Sequence, residues 1–362
     1  MSAIKGVQGV LAFHPSTTWG TARLLGAGDG VGLVSESLKP DVQLIEDQQL
    51  EGSSTQRQGE AGNRMFAGDI VTGFRYEGLE PLLACVMGTA GTPATVDVTA
   101  RTHTFKPKTD MDGIYGTMAI DKGFEVHEYP SVKVLGFSLS CKQGERAQIT
   151  FRFACYDQNI TTSSGTGTNN NVTMASVTLP TNRDYALFKH MVVKSNAQAG
   201  AALDSTSVIH VSGVTIDVDR GYKVDDVTTQ FGNKIDEPRQ DGWTVCKVAL
   251  DFSKYSDTSP GGNNALYAAQ LTKDAQKMSI VLTGESLAGS SSAYYSLACY
   301  FNGVQFMGGG GPNLSGPGLT PFTLDGMAYR VSTSPTGFVS GYNDPLTIDL
   351  TSQRALDGLS ST

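Results

Sequence analysis

At 362 residues, with 35 acidic against 27 basic side chains and a net charge of −8, the chain is long enough for two domains and too acidic to grip nucleic acid by general electrostatics. Hydrophobic residues make up 39%, too many for disorder, and no apolar run approaches 18 residues, so no membrane span is expected. Five scattered cysteines without a C-x-x-C predict buried reduced thiols, not a disulfide frame or zinc site.

In chain order, Gly6, Gln8 and Gly9 interrupt the N-terminal apolar stretch, so no secretory leader is expected. A strand near 31–38 leads to a polar stretch, 47–64, and a strand over 66–76 runs into a short helix over 79–87, flanked by Gly78 and Gly88. Phe137, Leu139 and Cys141 then share one face, with Ser138, Ser140 and Lys142 on the other. After the turn Gln143-Gly144-Glu145, Ile149, Phe151, Phe153 and Cys155 alternate with Gln148, Thr150 and Arg152, which predicts a hairpin with one greasy and one wet face. Residues 161–171 are all Ser, Thr, Gly and Asn and read as a linker or long loop.

The second half repeats the order. A strand near 208–218, with Thr215, Asp217 and Asp219 on its polar face, leads to a polar stretch, 225–241. A strand over 243–255, with Lys247 and Asp251 polar, runs into a helix over 263–277 with Asn263 or Asn264 as N-cap. Paired strands follow the helix in both halves, and Leu346, Ile348 and Leu350 alternate with Thr347 and Asp349. Phe74 and Phe252, like Leu38 and Ile216, stand 178 positions apart, which predicts a duplication: a first domain over 1–158, a linker over 159–178, a second domain over 179–352 and a tail over 353–362.

No catalytic constellation emerges, and no enzymatic activity, cofactor or metal is expected. The five histidines lack ligand spacing. Gly26-Ala27-Gly28-Asp29-Gly30 has Val31 where a dinucleotide loop needs glycine, and Gly284-Glu285-Ser286 has Ala288 where a nucleophile elbow needs glycine.

One ordered set of motifs is more specific: Trp19-Gly20-Thr21, Val34-Ser35-Glu36-Ser37-Leu38, Glu46-Asp47, Leu50-Glu51-Gly52, Gly68-Asp69-Ile70, Tyr76-Glu77-Gly78-Leu79 and Leu82-Leu83-Ala84, ending at Gly88. With the hairpin over 132–156, this order resembles the tail tube (major tail) proteins of long-tailed bacteriophages, in particular the non-contractile type with two tube domains. It covers residues 15–157 well and the second half mainly in element order.

The resemblance implies a mainly β fold: two tandem β-sandwich tube domains, each with a flanking short helix, whose inner sheets join between subunits into a continuous β-barrel. It implies a structural virion protein whose rings, trimeric with pseudo-six-fold symmetry, stack into a conduit for DNA ejection. The expected partners are further copies of the chain, other tail proteins at the tube ends, and DNA and tape-measure protein as cargo that is not specifically bound. Assembly would take place in the bacterial host cytoplasm, with the virion tail as destination. Lumen-facing candidates are Ser138, Ser140, Thr150, Thr215, Asp217, Asp219, Asp251 and Asp349, although Lys142, Arg152 and Lys247 cut against a purely acidic lining. Ring-stacking candidates are Gln49, Leu50, Glu51, Arg57, Gln58, Glu60 and Arg64 in the first polar stretch, and Asp225, Asp226, Lys234, Asp236, Glu237 and Arg239 in the second. Two other readings stay open: a different tube-fold component of a virion or secretion machine, and a β-sandwich carbohydrate-binding module.

Overall fold

The computed structural model describes residues 9–46, 58–89, 91–123, 125–161, 174, 176–182, 184–224, 229–230, 233–258, 261–290, 292–314 and 317–360. Most of the expected linker lies outside them. The first half carries β1 (Val10–Ser16), β2 (Gly30–Val31), β3 (Ser35–Glu36), β4 (Lys39–Ile45), β5 (Glu60–Gly73), α1 (Glu80–Met87), β6 (Ala94–Thr95), β7 (Arg101–Phe105), β8 (Tyr115–Asp121), β9 (Val126–Lys142), β10 (Gln148–Cys155) and β11 (Asn159–Thr161). The second carries β12 (Met191–Ala197), β13 (Val208–Ile209), β14 (Gly213–Asp219), β15 (Thr229–Gln230), β16 (Lys234–Ile235), β17 (Val245–Phe252), α2 (Asn264–Thr272), β18 (Gln276–Ser286), β19 (Tyr294–Gly309), β20 (Phe322–Ala328) and β21 (Thr347–Ser352).

Both helices form where the sequence places them, with one correction. In α1, Pro81 and Glu80 occupy the first turn and Gly88 closes it at φ 76°, its N–H donating to the Ala84 carbonyl. Helix α2 ends at Thr272 rather than 277, because Lys273 turns left-handed at φ 61° and β18 begins three residues later. Asn263 sits at the N-cap position, but its side chain bonds the backbone of Ser256 and Lys254 instead of the helix.

The pairing order of the first half recurs in the second. In the first, β1 pairs with β2 and β8, β8 with β9, β9 with β11 and β10, β10 with β5, and β5 with β3 and β4. In the second, β12 pairs with β13 and β18, β18 with β19, β19 with β21 and β20, β20 with β17, and β17 with β14. Each helix follows the matching strand, β5 or β17. The halves meet where β9 pairs with β14, Phe137 opposite Val218 and Leu139 opposite Ile216. The result is one long run: β3 and β4 together, then β5, β10, β9, β14, β17, β20 and β19.

Period-two alternation puts one face of this run on the core. Ile70, Phe151, Phe137, Ile216, Val248, Leu324 and Phe306 are all buried there, in a single apolar cluster that continues through both halves. Each such side chain contributes roughly 1.5–3 kcal/mol by burial. A second junction closes the chain on itself. Strand β21 pairs with β7, Ser352 Oγ donates to Glu80 Oε1 at 2.7 Å, and Gly358 lies against α1, where an added Cβ would come within 2.7 Å of Ala84 Cβ. The expected tail is therefore packed onto the first half over residues 353–360.

Candidate functional site

The other face of the long run is half-buried or exposed at its polar residues, with Gly73, Gly136 and Gly213 buried between them, and it collects seven of the eight lumen candidates. Thr150, Ser138 and Asp217 lie side by side on adjacent strands, followed by Lys247 and Met327. A second row holds Gln148, Ser140, Thr215, Ala249 and Asp325, and a third Lys142, Gly213, Asp251 and Thr323. Asp219 continues the face beside Gly136. These residues converge because each occupies the solvent phase of a strand whose alternate phase is apolar.

The three cations on this face from β5 to β20 sit among acids. Arg152 is opposite Asp69, donates from Nη1 to Asp217 at 3.0 Å and from Nη2 to the Val218 carbonyl at 2.7 Å. Lys247 is directly opposite Asp217, and Lys142 lies in the row of Asp251. From β5 to β20 three cations therefore face five carboxylates, Asp69, Asp217, Asp219, Asp251 and Asp325, and on β4 Lys39 and Asp41 add one of each. Asp69 and Asp325 escaped the sequence reading, although Asp325 stands in a clear alternation with Phe322, Leu324 and Ala328.

The eighth candidate lies elsewhere. Asp349 is on β21, which pairs with residues 296–300 of β19, beyond the stretch of β19 that meets β20, and it accepts hydrogen bonds from Thr104 Oγ1 at 2.6 Å and Tyr342 Oη at 2.7 Å. Burial pushes its carboxyl above the usual range. The folded pKa exceeds the unfolded one, so the charged form costs stability at neutral pH and that cost is relieved as pH falls through the folded pKa. Asp349→Asn is therefore expected to stabilise the chain near pH 7, with the gain shrinking toward pH 4. Melting temperatures of both proteins across that range check it; a gain that grows on acidification would contradict the assignment.

Of the stacking candidates, Gln49, Leu50, Glu51, Arg57, Asp225 and Asp226 lie outside the described residues. Gln58 and Glu60 stand exposed at the far end of an arm formed by β4 and the start of β5, where Glu60 pairs with Ile45. All of β4 is exposed, and Val42, Leu44 and Ile45 are 48%, 62% and 55% accessible, an apolar strip the polar composition of the neighbouring stretch concealed. Residues 233–237 of the second polar stretch are turned inward. Arg64 and Lys234 both bind the buried Asp157, at 2.5 and 2.6 Å, and the Arg64 N–H donates to Asn233 O. Trp19 Nε1 donates to Ile235 O at 3.2 Å. Glu237 pairs with the buried Lys133 and accepts from the Gly113 N–H. Asp236 accepts from the Glu237 N–H, and only Arg239 reaches a mainly exposed partner, Asp112 at 3.6 Å. In this chain residues 233–237 dock the second half onto the first.

The five cysteines are buried as free thiols, and burial pushes all of them up, Cys141 to about 11. Among the described residues no group of His, Cys, Asp and Glu could hold a metal ion, and no helix is long and apolar enough to cross a membrane.

A family model described as phage tail tube protein matches residues 6–328. No curated protein matches the chain.

Proposed function

We propose that this chain, which belongs to the phage tail tube protein family, builds the tail tube as stacked rings of three copies and lines it with the polar face of its long sheet. The observation that carries the reading is that face: it runs across both halves, its polar residues are half-buried or exposed, and it holds more acid than base. A conduit for DNA must not bind its cargo, and a face whose few cations are matched by carboxylates repels phosphate. The repeated pairing order supports two tandem tube domains, over 1–158 and 179–352, as the source of pseudo-six-fold symmetry.

The dimensions agree. Eight strands per chain and three chains, spaced ~4.8 Å and tilted ~45°, give a circumference of ~165 Å and a bore of ~40 Å once side chains are allowed for. A duplex passes through such a bore. The tube would be assembled in the bacterial host cytoplasm and carried in the virion tail, meeting other tail proteins at its ends.

Negative-stain microscopy of the purified protein tests the reading. Rings or tubes with a bore near ~40 Å are expected, and a protein that stays monomeric at every concentration overturns it. Ring stacking through the first polar stretch has its own test. Deleting residues 49–59 should leave a chain with an unchanged circular-dichroism melt that forms rings but no tubes; normal tubes would remove that role.

A further inference from the structure

The long run of strands ends on two edges that no strand covers among the described residues. One is the outer side of β3 and the start of β4, which pair only with β5. The other is the end of β19. Val304 is the last residue to meet β18, and beyond it residues 305–309 pair only with β20. Open edges are a liability unless something joins or guards them.

Side chains guard both edges: Glu36 at one, and at the other Lys273 together with Gln270, whose Nε2 donates to the Gly308 carbonyl at 3.0 Å. The Ser37 N–H donates to Asp69 O, so Leu38 faces away from β5, and its N–H is held by Glu36 Oε2 at 2.9 Å. The Tyr329 N–H donates to Gly303 O, so by alternation Phe306 faces away from β20, and its carbonyl is held by Lys273 Nζ at 3.1 Å. One edge thus presents a capped donor and the other two capped acceptors.

The junction inside the chain shows how such edges fit. Matching the halves by pairing order sets β19 against β9, and β3 with β4 against β14. Carrying the register through Phe74 and Phe252 sets Ala67 against Val245, so Leu38 answers to Val218 and not to Ile216, the residue 178 positions on, and Phe306 answers to Phe137. Phe137 and Val218 lie opposite each other where β9 meets β14, in the phase of the bond from the Arg220 N–H to Leu135 O. The guarded groups of Leu38 and Phe306 are therefore the counterparts of two groups already paired within the chain.

We infer that a second copy of this chain occupies each edge, Phe306 of one copy lying opposite Leu38 of the next, so that the subunit junction repeats the β9–β14 junction. Glu36, Lys273 and Gln270 hold the free edges and release them on joining. The contact is head-to-tail, so it propagates until rotation closes it. The inference rests on the proposed tube and specifies its register.

Cysteine cross-linking tests it. The register places Ser37 opposite Gly308 and Lys39 opposite Gln305, within the ~4.5–5.5 Å Cα separation of paired strands, which a disulfide can span. An added Cβ at Gly308 meets nothing closer than 3.9 Å, and the native thiols are buried and do not compete. The variants Ser37→Cys/Gly308→Cys and Lys39→Cys/Gln305→Cys should each give reducible covalent oligomers in most of the assembled material. The offset pair Lys39→Cys/Gly308→Cys should give at least tenfold less. Wild-type protein is imaged in parallel. Wild-type tubes, with variants that assemble but do not cross-link or that cross-link best in the offset pair, overturn the junction and leave the tube. Absence of wild-type rings and tubes overturns the tube itself.

Discussion

Glu237→Ala is expected to destabilise the chain by about 3–5 kcal/mol, the usual effect of stripping one partner from a buried ion pair. Lys133 has a side chain only 1% exposed and lies in β9, with Met111 O at 2.6 Å from its Nζ and the Tyr222 ring 5.1 Å away. Burial already depresses its pKa, and the bond to Glu237 works against that depression. Without the carboxylate the ammonium keeps one carbonyl and a ring face, far less than its hydration in water. The folded pKa then falls further below the unfolded one. The deficit is therefore largest below the folded pKa and shrinks as pH rises above it. Denaturant midpoints at several pH values measure this. The double variant Lys133→Met/Glu237→Leu should recover most of the loss, since it removes the stranded charge with its partner. A single variant within about 1 kcal/mol of wild type would show that Glu237 does not hold the two halves together.

The second large effect is functional. Asp251→Lys/Asp325→Lys should leave folding and tube formation intact while slowing DNA release from virions at least tenfold at about 50 mM salt. Neither carboxylate makes an ion pair among the described residues, and both lie on the polar face, Asp325 exposed. The change removes two negative charges and adds two positive ones per chain, a net shift of about four, so the proposed lining would collect phosphate instead of repelling it. Because such contacts release counterions, release should recover as salt rises toward 200 mM. Release kinetics unchanged at low salt would remove the polar face from the path of the DNA.

The hairpin over β9 and β10 and the shared polar face of seven residues were legible because a half-buried strand writes its burial into period-two alternation. The same rule misplaced Asp349. Ile348 and Leu350 alternate with it as expected. Alternation identifies a second face without saying what covers it, and here Tyr342 and Thr104 do. The overextended α2 has a similar origin. Helical spacing continues to Lys273, but residues 276–280 are buried on both sides, and burial on both faces carries no period. The second polar stretch read as a free loop because Lys234 and Glu237 look like surface charges until Asp157 and Lys133 arrive from far along the chain.

What the sequence determined alone was the β class, the short α1, the repeat and the polar phase of the central strands, because propensity and periodicity act over a few residues. Only the tertiary structure decided which strands are neighbours. The β9–β14 junction, the inward dock of residues 233–237 and the guard of Phe306 by Lys273 all join positions distant in the chain. Such pairing depends on backbone hydrogen bonds that every residue but proline can make, so local sequence leaves no mark of the partner.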